Sequence, residues 1–574
     1  MTEPGGNMTE PIQRIKASLK RIYGESEGAA ALGKILPLIQ RFNACEKEPG
    51  EPLTEKDTVL ICYGDSLVRT GEMPLRTLHT FAKDHLKDIV STLHILPFFP
   101  YSSDDGFSVT DYATVRHDLG TWEDIQAISE DFKLMFDLVL NHVSAESGWF
   151  RQYLQQNPGF RHLAIEVDPS MDLRRVVRPR SLPLLTDFIK ESGEMVHLWT
   201  TFSADQIDLN FKDPDVLVLM VETLLLYVEK GASVIRLDAI AYLWKEIGTS
   251  CIHLPQTHET VKLLRAILDM VAPWTLLLTE TNVPHAENIS YFGKGNDEAQ
   301  LVYNFTLPPL VLYAFVKGDA TPLTEWAGEL PRFSGTNAFF NFTASHDGIG
   351  VRPLEGILQP SAVGELMDHI LHHAGRVSFK QNPDGSESPY ELNITYVDAL
   401  AAKGSAGDFH HAKRFLASQA IPLVFPGVPA GYIHSLLGSR NWLEGVEKTG
   451  RARSINRESL PVDALARQLR NPESFRSRIF YPYTAMIRTR SAQPAFHPNA
   501  AWEVLDLNSR IFGLVRTAEN QRIYTITNVS SDALSVSISA PDTPPRLRDL
   551  LTGRICSSTS IQLEPFQYVW LSEA

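Results

Sequence analysis

The sequence predicts an α/β fold: a (β/α)8 TIM barrel with inserted subdomains after strands 3 and 7 and a C-terminal antiparallel β-domain. Three observations lead there. Short runs rich in Val, Ile, Leu and Phe recur down the first three quarters of the chain with helix-like stretches between them, the rhythm of a parallel α/β fold. Two connections between these runs, of about ninety and about eighty residues, far exceed an ordinary βα loop. Past Ala500 the pattern changes to brief alternating runs separated by turn residues.

Each element follows in order. Residues 1–50 carry IQRIKASLKRIYG and LGKILPLIQRF, two amphipathic helices expected to pack outside the barrel as an N-terminal extension. The barrel occupies 51–499. Its eight candidate strands are TVLICYG from Thr58, TLHILPFF from Thr92, LMFDLVL from Leu134, SVIRLD from Ser233, TLLLTE from Thr275, LVYNF from Leu301, AFFNFTASHD from Ala338 and IPLVFPG from Ile421. The long connections predict a B domain over 143–206 and a second insertion over 348–409. From 500 to 574, RIFGLVRT, RIYTITNV, ALSVSISA and SIQLEPFQYVWL read as antiparallel strands. In a barrel of this kind, chemistry sits where strands end and the following loops begin.

A chain of 574 residues is too long for a small binding module. Its 43% hydrophobic and 21% charged residues suit a compact globular enzyme. The net charge of −15 disfavours nucleic acid as a partner. Cys45, Cys62, Cys251 and Cys556 are too scattered for a disulfide framework or a CxxC metal site. With no apolar signal segment and no long uncharged apolar run, no membrane contact and a cytoplasmic location are expected.

Three acids close candidate strands: Asp238 in SVIRLD, Glu280 in TLLLTE and Asp347 in ASHDG. Glycosyl transfer through a covalent intermediate needs such a trio. One carboxylate attacks the anomeric carbon, a carboxyl of raised pKa protonates the leaving oxygen, and a third steadies the oxocarbenium-like sugar. Arg236, two residues before Asp238, faces the same side of its strand and is suited to keep that acid ionised.

The contexts of these acids carry a resemblance. FDLVLNHVS with His142, VIRLDAIAYLW with Arg236 and Asp238, LLLTETNVPH with Glu280, and FFNFTASHDGIG with His346 and Asp347 resemble the four ordered signature regions of the α-amylase superfamily. The resemblance implies Asp238 as nucleophile, Glu280 as general acid/base and Asp347 as transition-state stabiliser. LHILPFFPYSSDDGFSVTDY, RPRSLPLLTDF, LWTTFSADQIDLN and GRARSINRE narrow it to the sucrose phosphorylase subgroup, from about Thr58 to the C-terminus. By that likeness Asp104 binds distal glucose hydroxyls with Arg453 as its charged partner. Phe107, Phe202, Tyr242 and Gln206 line the glucose and acceptor subsites, although the aromatic residues among them also suit plain core packing.

The subgroup transfers glucosyl to phosphate, and Arg180 in RPRSLPLLT matches its phosphate-binding arginine; Arg174, Arg175 and Arg178 nearby suit a surface role equally well. For the acceptor, the loop PGVPAGYIHSLLGSRNWLEGVEKTG, the HLPQTH and ETNVPHAENISYFG segments and NPDGSESPYELNITYVDAL resemble the glucosylglycerate phosphorylases. Asn282 stands where simple sucrose phosphorylases carry a histidine, and those enzymes lack the N-terminal extension. That resemblance implies the reaction of 2-O-(α-D-glucopyranosyl)-D-glycerate with phosphate to give α-D-glucose 1-phosphate and D-glycerate. Arg440 and Lys448 are candidates for the glycerate carboxylate. Its alternatives are a sucrose or sucrose 6'-phosphate phosphorylase, a hydrolase, and a non-catalytic interaction protein. No cofactor is expected, the substrates being small molecules, and the assembly is expected to be a monomer or homodimer. Many relatives in the superfamily hold calcium near the position of Asn141. The subgroup lacks that site and no DxDxDG-like loop occurs, so no metal is expected.

Overall fold

The computed structural model describes residues 9–42, 53–295, 297–333, 335–382, 384–402, 407–518, 520–538 and 543–574. Eight strands close a barrel: β1 (Val59–Cys62), β2 (Thr92–Ile95), β3 (Lys133–Leu138), β4 (Ala232–Leu237), β5 (Leu276–Thr279), β6 (Leu301–Tyr303), β7 (Ala338–Asn341) and β8 (Val428–Tyr432). Every adjacent pair is parallel, and β8 pairs with β1 to shut the ring. Strands buried on both faces need uninterrupted apolar residues, which is why they read as runs and not as alternation.

The eighth strand corrects the sequence reading. IPLVFPG was expected to form it, but Ile421–Val424 is the last turn of helix α4 (Phe409–Val424), and the strand begins after Gly427, at Val428. This turn is buried all round between barrel and C-terminal sheet, where helix and strand share the same apolar signature. Its orphan carbonyls are taken by distant arginines: Arg490 Nε donates to Leu423 O at 2.7 Å and Arg516 Nη1 to Val424 O at 2.7 Å. Gly427 then turns the chain at φ +127, and a Cβ there would lie 2.3 Å from Phe339 O.

The segment α1 (Thr9–Arg41) is two helices broken at Gly24, where φ is +82 and ψ is −175. No helix can run through that left-handed geometry, and glycine adopts it at least cost. The apolar stripe of Ile15, Leu19 and Ile22 is buried, and α1 packs on α2 (Pro214–Glu229) and α3 (Pro255–Val271) of the barrel's outer layer. Arg14 pairs with Asp269 at 2.6 Å and Arg21 with Glu259 at 2.8 Å across that contact. Cys45 lies outside the described residues.

Between β3 and β4 the chain adds the antiparallel pair Leu185–Ile189 and Met195–Trp199. A second pair, His142–Ser144 with Gln206–Asp208, tethers both ends of the excursion at the barrel mouth. After β7 a three-stranded antiparallel sheet forms from Ile349–Gly350, Arg376–Gln381 and Glu387–Asn393. The C-terminal residues build a six-stranded antiparallel sheet. Among the described residues no helix is long and apolar enough to cross a membrane.

Candidate active site

One buried guanidinium organises the barrel mouth. Arg236, on β4 and 2% exposed, sends Nη1 to Asp238 Oδ1 at 2.7 Å and also pairs with Asp137 of β3. The second oxygen of Asp137 meets His94 Nε2 at 2.7 Å. The opposite amino group of Arg236 stands 4.0 Å from Glu280 Oε2, an oxygen that also accepts from the backbone N–H of Ala239 at 3.0 Å. Ala239 adopts φ +50, a conformation costly for a side-chain-bearing residue; the turn places its N–H on Glu280 directly after Asp238. Both acids therefore face one cation at the ends of neighbouring strands.

Their protonation is not symmetric. Burial pushes Glu280 up to about 7, opposed by Arg236 and reinforced by the negative charges of Asp238 and Asp347. Burial raises Asp238 as well, but there Arg236 opposes it through both its charge and a direct hydrogen bond. The first proton bound at this pair belongs on Glu280, which has no hydrogen-bonded cation. For Asp347 burial is outweighed by Arg453, His346 and Arg457, which hold its carboxyl well below the usual range.

Asp347 follows β7, with Arg453 Nη1 at 2.7 Å and Arg457 Nη2 at 3.7 Å from its Oδ1. Arg453 was expected to pair with Asp104. Its ion-pair partners are Asp347 and, through Nε at 3.0 Å and Nη2 at 2.5 Å, Glu391 of the inserted sheet. Asp104 instead accepts from Gln206 Nε2 at 3.3 Å, and its neighbour Asp105 pairs with Arg457 at 2.5 Å. The cause is tertiary: the insertion after β7 brings Glu391 over the mouth, and a bidentate carboxylate holds a guanidinium better than a distant one.

The walls are aromatic. Phe107 stacks on His346 with centroids 4.7 Å apart, and Phe202 meets Tyr242 edge-on at 5.5 Å. His142 Nε2 lies 2.8 Å from Phe107 O and 3.1 Å from Gln206 Nε2. One pocket is lined by Asp104, Phe107, His142, Arg180, Phe202, Gln206, Asp238, Tyr242, Glu280, His346, Asp347 and Arg453. Of the residues singled out for the three acids, the sugar and phosphate, Arg236 alone is not in that lining; it lies buried against Asp238. Tyr390, Glu391 and Phe305 also line the pocket and were not read from the sequence. ESPYELN shows a strand-like alternation, yet nothing in it says which barrel face the strand will cover.

The loop cations separate. Arg180 lies in the pocket, its guanidinium 5.7 Å from the centroid of the Tyr390 ring, and among the described residues no carboxylate pairs with it. Arg174 is exposed and paired with Asp172 at 2.8 Å, Arg175 is exposed, and Arg178 Nη1 donates to Gln381 Oε1 at 2.9 Å. Neither acceptor candidate reaches the pocket. Arg440 pairs with Asp398 and lies over the Phe475 ring, while Lys448 is exposed beside Glu444 at 2.7 Å. Local carboxylates have claimed both.

Behind the pocket Asn141 Oδ1 accepts from Lys245 Nζ at 2.8 Å, and that ammonium also stands 2.5 Å from Asp208 Oδ2. Asp208 accepts from Thr201 N and Oγ1, each at 2.7 Å. An internal side-chain cation thus ties β3, the loop after β4 and the end of the B domain together. The HLPQTH histidines are satisfied: His253 Nδ1 lies 2.9 Å from Tyr291 Oη and His258 Nδ1 2.8 Å from Glu298 Oε2. A larger cavity of about 790 Å³ opens between α1, α2 and Trp149. Its described lining carries no comparable convergence of acids and bases.

Comparison with known proteins places this geometry in a lineage. The alpha amylase catalytic domain family matches residues 83–330. The glucosylglycerate phosphorylase of Spirochaeta thermophila is 48% identical over 91% of this chain and 90% of its own. That of Escherichia coli strain K12 is 45% identical over 97% of this chain and 100% of its own. The crystal structure of sucrose 6F-phosphate phosphorylase from Thermoanaerobacter thermosaccharolyticum superposes with a TM-score of 0.72 at 27% identity, covering 83% of this chain and 94% of that one. At such identity over nearly the whole length, the chain belongs to the glucosylglycerate phosphorylases, glycosyl-transferring enzymes of the α-amylase superfamily.

Proposed function

We propose that this protein catalyses the reversible reaction of 2-O-(α-D-glucopyranosyl)-D-glycerate with phosphate, giving α-D-glucose 1-phosphate and D-glycerate with retention at C1. The observation that carries the mechanism is the unequal treatment of two acids around Arg236: Asp238 hydrogen-bonded to the guanidinium, and Glu280 pushed up to about 7 by burial.

Protonated Glu280 gives its proton to the glycerate oxygen as the C1–O bond breaks, and an Asp238 carboxylate oxygen bonds to C1 from the opposite face. The product is a β-glucosyl ester on Asp238 and free glycerate. Phosphate then enters on the vacated face and its oxygen attacks C1; Glu280 accepts the proton it sheds, and Asp238 leaves as carboxylate. Two inversions yield the α-phosphate. Asp347 accepts from the ring hydroxyls as positive charge develops, with Asp104, His142, His346 and Arg453 holding the remainder of the sugar. Arg180, a pocket cation without a carboxylate partner, binds the phosphate, and the aromatic side chains of the wall limit water as a competitor.

The test is direct. Glucosylglycerate incubated with inorganic phosphate should give α-glucose 1-phosphate, read by phosphorus NMR, at a rate that depends on phosphate. Release of free glucose at the same rate with or without phosphate would refute phosphorolysis. Use of fructose or fructose 6-phosphate over D-glycerate in the reverse direction would refute the acceptor.

A further inference from the structure

A second guanidinium near the pocket has no hydrogen-bonded carboxylate, only a looser ion pair with a solvent-exposed glutamate. Arg352 opens the helical turn Arg352–Leu354, just past the strand Ile349–Gly350 that leads out of the Asp347 loop. That strand pairs with Glu387–Asn393 (Gly350 opposite Glu391), and Val351 N donates to Tyr390 O at 3.1 Å, so Arg352 is fixed beside the Tyr390 wall. It is 7% exposed, and its Nε and Nη1 are buried without a hydrogen-bond partner. Its nearest carboxylate, Glu355, stands off at 3.6 Å on a side chain 52% exposed to solvent. A buried guanidinium in this condition is costly unless a ligand anion completes it.

The groups around it are in the same state. Burial raises the Tyr242 phenol, and Arg352 is the strongest charge acting in the opposite direction. The Tyr242 hydroxyl and Asn282 Oδ1 both belong to residues lining the pocket, and both are buried without partners. Gly350 makes room for Asn282: a Cβ at 350 would lie 2.4 Å from Asn282 Oδ1. Arg180 and Arg352 thus stand near Tyr390 as two guanidiniums without a hydrogen-bonded carboxylate, in an enzyme proposed to exchange one anion for another.

We infer that Arg352 determines acceptor specificity, its guanidinium binding the carboxylate of a small 2-hydroxy acid beside Tyr242 and Tyr390 while Arg180 serves the phosphate. This rests on the reaction proposed above. A planar donor fork matches a carboxylate in two-point contact, and a neutral polyol of the same size offers no such match. It also gives a physical reason for the Asn282 environment: its unpaired carbonyl oxygen can accept from a hydroxyl of the same acid.

The test uses glucose 1-phosphate as donor, with D-glycerate or glycerol as acceptor, in the full-length protein and its Arg352→Gln and Arg352→Lys variants. Hydrolysis of glucose 1-phosphate reports that each variant is folded. Arg352→Gln should lower the ratio of kcat/KM for glycerate over glycerol by about 30-fold or more, mostly through KM for glycerate, with Arg352→Lys recovering part of it. An unchanged ratio overturns the inference. So does a rise in KM for phosphate in place of glycerate, or loss of hydrolysis in both variants, which would make Arg352 a structural residue. A wild-type protein preferring glycerol over glycerate overturns this inference and the proposed acceptor together; a wild-type preference for glycerate that survives in Arg352→Gln overturns this inference alone.

Discussion

Arg453 joins Asp347, at the mouth of the barrel, to Glu391 in the sheet inserted after β7, with 2.7 Å to the first and 2.5 Å to the second. The insertion is thereby wired to a proposed catalytic carboxylate. Glu391 is 2% exposed and accepts two hydrogen bonds from Arg453, so its removal leaves the guanidinium free to close fully on Asp347. Glu391→Gln should then lower kcat/KM about tenfold or more, at the scale of one charge-assisted hydrogen bond. The cycle with Asp347→Asn should be strongly non-additive because the two acids share one cation. Additive losses would show that Glu391 acts independently of Asp347.

Arg180 can be tested by partition, which does not depend on overall rate. In the proposed mechanism phosphate and water compete for the same glucosyl-enzyme ester, and among the described residues lining the pocket Arg180 is the guanidinium without a carboxylate partner. Arg180→Ala should raise the ratio of glucose to glucose 1-phosphate formed at fixed phosphate, by about tenfold or more for one lost charge-assisted contact. An unchanged ratio removes Arg180 from that role.

The readability of this site from sequence divides along one line. The acids at strand ends and Arg236 are fixed by local geometry: a parallel strand ends, and residues i and i+2 face the same way. Asp238 and Glu280 directly follow β4 and β5 as the runs indicate, whereas β7 stops at Asn341 and Asp347 stands in the loop beyond it, not at the end of the expected strand AFFNFTASHD. What failed depended on contacts between segments far apart. IPLVFPG is apolar in helix and strand alike, so only the arginines from residues 490 and 516 reveal that its first four residues finish a helix. Arg440 and Lys448 stay outside the pocket lining, claimed by Asp398 and Glu444, neither predictable from composition. Tyr390 and Glu391 owe their place at the pocket to the register of the inserted sheet, which no short motif encodes.

Lys245 provides a prediction about stability. Its ammonium is 6% exposed, between Asn141 Oδ1 and Asp208 Oδ2, and burial lowers its pKa against the pull of Asp208. Lys245→Met would strand the buried Asp208 carboxylate without a counter-charge, costing about 3–5 kcal/mol in unfolding free energy. Lys245→Met with Asp208→Asn should recover a large part of that loss, since an amide needs no counter-charge. Equal destabilisation of the single and double variants, measured by urea unfolding, would show that packing and not charge governs the site.

The pH profile tests the assignment of the acid. Glu280 is raised from the ordinary 4.5 to about 7, chiefly by burial with Asp238 and Asp347 adding to it. A general acid must carry its proton and the nucleophile must be ionised in the free enzyme, so kcat/KM for phosphorolysis should fall tenfold per unit above about pH 7 and fall again in acid where Asp238 takes up a proton. The same shift has a sign in stability. A group that holds its proton more tightly when folded favours the folded state at low pH, and that contribution is lost as pH rises from its unfolded value of about 4.5 through 7. Glu280→Gln should abolish the alkaline limb in the residual activity and flatten the stability curve between those limits. Asp347, held low by Arg453 and Arg457, works in the opposite sense: its contribution is present at neutral pH and disappears only in strong acid. A wild-type alkaline limb that persists in Glu280→Gln would assign the titrating acid to another residue, and Asp238, sharing the same guanidinium, would be the one to examine by Asp238→Asn.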